Sequence, residues 1–285
     1  VPEYQFSAFA DEIANDIETQ MKELEKYGIS HIELRAVDGI NVSEFTMDKA
    51  KEIKQKLDKN GFSISAIGSP IGKIKITDPF EPHLQTFRHV IELAKLFETK
   101  YIRIFSFFIP EGDAPEQYEE EVIRRMKAFV EIAEQEDVML LHENEKDIFG
   151  DIISRCLKIF DRIPSKNLRA TFDMANFVQC GVKPYEAYKT LKPYIEYVHI
   201  KDARSIDHMV VPAGYGDGQV ETIIGEMIEN GYQGFFSFEP HLGSFPGLDK
   251  LETKVEIKEN HLSGQERFKL AYDAFAKIID KVGGK

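Results

Sequence analysis

The sequence predicts an α/β protein of the (β/α)8 barrel class, folded as one domain over residues 1–285. Three observations carry this. Eight short apolar runs recur at intervals of about 25–40 residues, the length of one strand-plus-helix unit. Amphipathic segments lie between them. Four of the runs, all in the second half, stop on a side chain able to hold a metal: 138–143 (VMLLHE), 168–173 (LRATFD), 196–199 (EYVH) and 234–239 (GFFSFE). Eight alternations favour a closed barrel over an open doubly wound sheet. No GxGxxG follows the first run, which counts against a dinucleotide-binding fold.

In chain order, strands are predicted at 5–9, 31–35, 63–67, 101–105, 138–142, 169–173, 197–200 and 235–238. Helices are predicted at 17–27, 48–59, 84–97, 118–134, 148–160 and 220–229. In the first, Ile17, Met21, Leu24 and Tyr27 recur at three and four and make one apolar face. Gly28, Gly61 and Gly231 stand where a left-handed cap ends a helix before the next strand. No Pro/Gly/Ser-rich linker divides the chain. The barrel core spans about residues 5–245, and 246–285 form a C-terminal helical extension. Within that tail, 242–260 read as a Lys/Glu-rich connection and 263–282 as a closing helix, with Phe268, Leu270, Ala271, Phe275 and Ile278 on its apolar face.

With 42% hydrophobic and 30% charged residues, the composition is that of a soluble globular protein. No apolar run approaches the roughly 20 residues needed to cross a bilayer, and no basic-then-apolar leader precedes the first strand. Cys156 and Cys180 make no disulfide framework, which suits a reducing cytoplasm. A net charge of −13 argues against a nucleic-acid surface and leaves room for a small substrate held by a few local cations.

In a barrel of this class all strand C-termini open on one face, and catalytic side chains come from those ends. Glu143, Asp173, His199 and Glu239 occupy that position on strands five to eight, and strand alternation aims them at the barrel axis. One imidazole and three carboxylates suit Mn2+, Mg2+, Co2+ or Zn2+; with no thiolate offered, a structural zinc is disfavoured.

The strings HENEKDIFGD (142–151), FDMANFVQCG (172–181), HIKDA (199–203) and FSFEPHL (236–242) resemble the xylose isomerase-like TIM-barrel superfamily, and more closely its sugar (phosphate) isomerase/epimerase branch. HIELR (31–35), SAIGSPIGKI (65–74) and YIRIFSF (101–107) are similar too. The resemblance implies that Glu143, Asp173, His199 and Glu239 ligate a divalent metal, and that Glu143 and Glu239 exchange a proton from opposite sides of the substrate carbon. Removing a proton beside a carbonyl builds an enediolate, which a bound cation stabilises as a Lewis acid. Return of the proton to the other face is epimerisation, return to the neighbouring carbon is isomerisation, and loss of a β-hydroxyl is dehydration. A sugar or polyol isomerase/epimerase acting on a small carbohydrate is the first reading. A lyase that dehydrates a keto-polyol is the second. An apurinic endonuclease and a non-catalytic sugar-binding protein stand behind them. Nucleic-acid and membrane partners are not expected, and homo-oligomerisation is left open.

Around that centre, Lys201, Asn176, His241 and Arg103 are candidate substrate contacts. Lys201 lies two past His199 on the same face, and Asn176 stands where some family members carry histidine. Asp202 is expected to orient His199 or to cap the next helix, and His142 to face the helices. Glu33 and Arg103 both point inward and are expected to pair beneath the site, with a substrate contact as the alternative for Arg103. The glycine-rich loops 68–73 and 214–218 read as turns or lid segments rather than phosphate binders. The aromatic run 105–108 reads as an apolar wall or an oligomer contact.

Overall fold

Each strand-forming run ends where its apolar alternation meets turn residues. In the computed structural model, which describes residues 4–243 and 262–283, eight such runs pair side by side. They are Gln5–Ala8 (β1), His31–Leu34 (β2), Ser63–Ile67 (β3), Tyr101–Ile104 (β4), Met139–Glu143 (β5), Leu168–Asp173 (β6), Ile195–Ile200 (β7) and Phe235–Phe238 (β8). All are parallel and close in the order β1-β8-β7-β6-β5-β4-β3-β2, the (β/α)8 barrel that the sequence predicts.

The helices around it are Ile17–Glu25 (α1), Met47–Lys59 (α2), Phe80–Leu96 (α3), Glu119–Gln135 (α4), Ile153–Arg162 (α5), Met174–Gln179 (α6), Pro184–Leu191 (α7), Val220–Glu229 (α8) and Gly264–Gly283 (α9). Their apolar stripes bury Ile17, Met21 and Leu24 of α1 and Ala50, Ile53 and Leu57 of α2 against outward-facing strand residues such as Ile32 and Ile64. Asp16 and Thr46 cap α1 and α2 by accepting from Thr19 N and Lys49 N. The closing helix α9 packs Phe275 against Phe6, Phe236 and Phe238, with ring centroids 5.9, 5.7 and 5.6 Å apart.

Four expectations are corrected. Leu270 does not join the α9 stripe and is 45% exposed, because the 268-271-275-278 spacing turns position 270 to the opposite side. The helix expected over 148–160 is broken: a 3-10 turn, Phe149–Asp151, precedes an extended Ile152 (φ −123°, ψ 163°), and α5 starts after it. Gly150 lies so close to His142 that an added Cβ would stand 2.4 Å from its ring. The two helices α6 and α7 follow β6 where no helix is predicted. Phe105 and Phe107 are fully buried, which removes them from any oligomer contact. The connection expected over 242–260 lies, from residue 244 on, outside the described residues. No helix among the described residues is long and apolar enough to cross a membrane.

Candidate metal centre

The register of the last strands sets the site. Asp173 on β6 lies level with His199 on β7, and His199 lies level with Ser237 on β8. Glu143, the last residue of β5, is level with Thr171, and Glu239 follows β8 directly. The stagger comes from strand tilt in a closed barrel. The long side chains absorb it: one ligand atom each from Glu143, Asp173, His199 and Glu239 lie within 4.8 Å of one another, and all four residues are buried.

His199 is the hub. Its Nδ1 stands 3.0 Å from Glu143 Oε1, 3.4 Å from Glu239 Oε2 and 3.7 Å from Asp173 Oδ2. Its Nε2 points the other way, 3.1 Å from Glu33 Oε2. Burial would lower the imidazole pKa, but Glu33, Glu143 and Glu239 together raise it well above its ordinary value. Burial would raise the Glu143 carboxyl, but the charges of His199 and Arg103 bring it down to about 2. Glu239 is likewise held well below the carboxylate range, with Lys201, His241 and His199 outweighing burial. Both glutamates are ionised at neutral pH.

The donor set fits a divalent cation. Three carboxylates and one imidazole are oxygen and nitrogen donors of the kind such ions take. Asp173 Oδ2 is buried and accepts no well-aligned hydrogen bond, having only the Lys201 ammonium at 3.2 Å and His199 Nδ1 at 3.7 Å beside it, and a cation among the four ligands would satisfy it. Its other oxygen accepts from Asn176 N at 2.8 Å and caps α6.

The four candidate substrate contacts all reach this centre. Lys201 Nζ lies 2.9 Å from Glu239 Oε2 and 3.2 Å from Asp173 Oδ2. Asn176 Nδ2 donates to Glu143 Oε1 at 3.2 Å and to Asn144 O at 2.9 Å. Arg103 Nη1 donates to Glu143 Oε2 at 3.1 Å and lies 3.8 Å from Glu239 Oε1. His241 Nε2 is 3.4 Å from Glu239 Oε1 and 3.3 Å from Glu12 Oε1, and its backbone N–H donates to Glu12 Oε2.

Two pairings differ from expectation. Glu33 and Arg103 do not pair: Glu33 turns to His199 and accepts from Ser237 Oγ at 2.7 Å, while Arg103 turns to Glu143. The two have nearer opposite charges on neighbouring inward side chains. Asp202 neither orients His199 nor caps a helix. It is fully buried and accepts from the backbone N–H groups of Ala203, Gly214, Gly216 and Gly218 at 2.8–3.0 Å. A carboxylate of the chain's own thus fills the glycine-rich loop, and that loop is a turn. His142 faces outward as expected, with Nε2 2.9 Å from Ser106 Oγ.

Sequence reasoning missed Arg35, Asp11 and Glu12. Arg35 is 2% exposed and donates to Asp11 at 2.8 Å, to Glu12 at 3.1 Å and to Glu239 Oε1 at 3.1 Å. All three follow a strand end of the first half, Arg35 directly after β2 and Asp11 and Glu12 in the turn after β1, so a search of strand ends for any charged side chain would find them. The Phe9 ring backs the group, 4.3 Å from the Arg35 guanidinium carbon and 5.1 Å from that of Arg103.

Known proteins share this architecture. A 3-dehydroshikimate dehydratase from Bacillus anthracis is 24% identical over 138 residues, or 48% of this chain; the match spans about half, 49%, of that curated relative's length. The crystal structure of a D-tagatose 3-epimerase-like protein superposes with a TM-score of 0.75 at 18% identity, covering 98% of each chain. A crystal structure of the IOLI protein with a bound zinc atom also superposes with a TM-score of 0.75, at 15% identity over 98% of each chain. At these identities the structural likeness carries the fold alone. A model of the xylose isomerase-like TIM barrel family matches residues 21–262, and the chain belongs to that family.

Proposed function

We propose that this protein is a divalent-metal-dependent sugar or polyol isomerase/epimerase, with Glu143, Asp173, His199 and Glu239 as the metal ligands and Glu143 and Glu239 as the proton-transfer pair. One observation carries the reading. Two ionised carboxylates, from β5 and from the end of β8, meet at one imidazole nitrogen, and each has its own cationic anchor: Arg103 for Glu143, and Arg35 with Lys201 for Glu239. A pair held in this way can take a proton from one side of a carbon and return one from the other.

A cation bound by the four ligands supplies charge stabilisation for the oxygens beside the carbon that loses its proton. The chain's own groups do the rest. The anchored glutamates keep fixed orientations, so no reorganisation accompanies proton transfer. Lys201 and Arg103 offer donors to substrate oxygens, and Asn176 fixes the Glu143 carboxylate through its amide. Burial of the whole group keeps bulk water from competing for the proton.

A second reading is a keto-polyol dehydratase, favoured by the likeness to the dehydratase noted above. The same base removes the proton, and the Lys201 ammonium, 2.9 Å from Glu239, is placed to protonate a departing hydroxyl. A panel of ketoses and inososes incubated with Mn2+, Co2+ or Mg2+ in heavy water separates the two. Deuterium gained at carbon with no loss of water supports the first reading. Loss of water supports the second. Neither reading survives if no panel member exchanges or dehydrates.

A further inference from the structure

We propose that Glu33 is a positioning residue for this metal centre, fixing the ring of His199 so that Nδ1 and not Nε2 faces Glu143, Asp173 and Glu239. The inference rests on the metal-ligand assignment above. Glu33 is on β2, across the barrel from β7, and its side chain and that of His199 are both fully buried. Both Glu33 oxygens lie within reach of His199 Nε2, at 3.2 and 3.1 Å. Ser237, level with His199 on the adjoining strand, donates to Glu33 Oε2 at 2.7 Å and sets the carboxylate's own orientation. The ring is boxed from the sides as well: Phe9 and Tyr197 meet it edge-on, with centroids 5.1 and 6.0 Å away at 74° and 90°. An imidazole has two nitrogens on different edges, so a carboxylate accepting from one edge commits the other to the cation. Groups that accept from a ligating imidazole in this way commonly change metal affinity 10- to 100-fold when removed.

The test is Mn2+ binding to the metal-free protein by calorimetry, alongside thermal melts of the metal-free form. Glu33→Gln keeps an acceptor oxygen, and Glu33→Ala removes it. We expect Mn2+ affinity about 10-fold weaker for Gln and about 100-fold weaker for Ala. Ser237→Ala should weaken binding about threefold, by the loss of one orienting hydrogen bond. A role in folding alone would lower the melting temperature and leave the affinity of the folded variants unchanged. If Glu33→Gln and Ser237→Ala are folded and bind Mn2+ within twofold of the parent, the proposal is overturned, and this holds even where Glu33→Ala fails to fold. If the parent takes up no divalent ion, the metal-ligand assignment falls first and this inference falls with it.

Discussion

Glu143 Oε1 and His199 Nδ1 meet at 3.0 Å although 56 residues separate them in the chain. The contact spans β5 and β7, with β6 between, and brings the proposed base and a proposed metal ligand to one point. Replacing Glu143 by Gln keeps the shape and removes the base. We expect Glu143→Gln and Glu239→Gln each to lower turnover at least 100-fold, read as kcat on whichever substrate the screen yields. Full activity in either variant rules out its role in proton transfer.

Removal of the proposed cation should act on the same step. Dialysis against EDTA is expected to abolish turnover, and one equivalent of Mn2+, Co2+ or Mg2+ per chain should restore it. Elemental analysis of the purified protein checks the ratio. Activity that survives exhaustive chelation removes the Lewis acid from the scheme.

Arg35 is the sole guanidinium shared by Asp11, Glu12 and Glu239 among the described residues. Burial opposes its charge, but the three carboxylates outweigh burial and raise its pKa. Arg35→Met would take a guanidinium from three buried carboxylates at once, of which Glu239 keeps Lys201 and Glu12 keeps His241 beside it. We expect a loss of about 3–5 kcal/mol, measured by urea denaturation of the metal-free form. A loss below about 1 kcal/mol would mean that the acids find water or another cation instead.

Asp202 serves four backbone donors with two oxygens. An amide at that position keeps one acceptor and turns an NH2 group toward the remaining N–H groups. Asp202→Asn should cost about 2–4 kcal/mol in the same assay. Gly216→Ala should also destabilise, because its Cβ would lie 2.3 Å from Ala203 O. Unchanged midpoints for both would show that the loop is not tied through this carboxylate.

His83 gives a pH dependence away from the candidate metal centre. Its Nε2 accepts from Gly72 N at 2.8 Å, and burial, with the nearby Arg125 charge, lowers its pKa from 6.5 to about 4. Above pH 6.5 both folded and unfolded chains hold it neutral, so its contribution is complete. As the pH falls towards 4 the unfolded chain takes the proton first and stability is lost, by on the order of 2 kcal/mol for a partly exposed group. Denaturation at pH 7 and pH 4.5 should show the parent losing more than a His83→Gln variant. Equal losses would show that His83 titrates normally.

The barrel was legible because two periodicities alternate. Runs such as 101–105 read as strands from alternation and β-branched content, and 220–229 reads as a helix from its apolar spacing. The four metal-centre candidates were legible because each closes an apolar run just before turn residues. The pairing of Glu33 was not, since Arg103 and His199 both project into the same interior and only strand tilt decides which lies nearer. Helices α6 and α7 were missed because α6 is six residues long and buried on nearly every side, with no polar face to give it a period. Its start is written in Asp173, whose capping role sequence reading gave to metal ligation alone. The break before α5 lies where Gly150 packs closely against His142, a tertiary contact that no local pattern encodes.

Ring closure joins Gln5–Ala8 to Phe235–Phe238, the first strand to the last. A nascent chain leaving the ribosome therefore carries Glu143, Asp173 and His199 well before it can seal the cylinder that collects them. Until β8 emerges, β1 and β7 each present an unpaired edge, and Glu239 is not yet made. Assembly of the centre is thus tied to synthesis of β8 and Glu239, and a ribosome stalled before residue 235 would display at most seven of the eight strands, with sticky flanks for chaperones to shield.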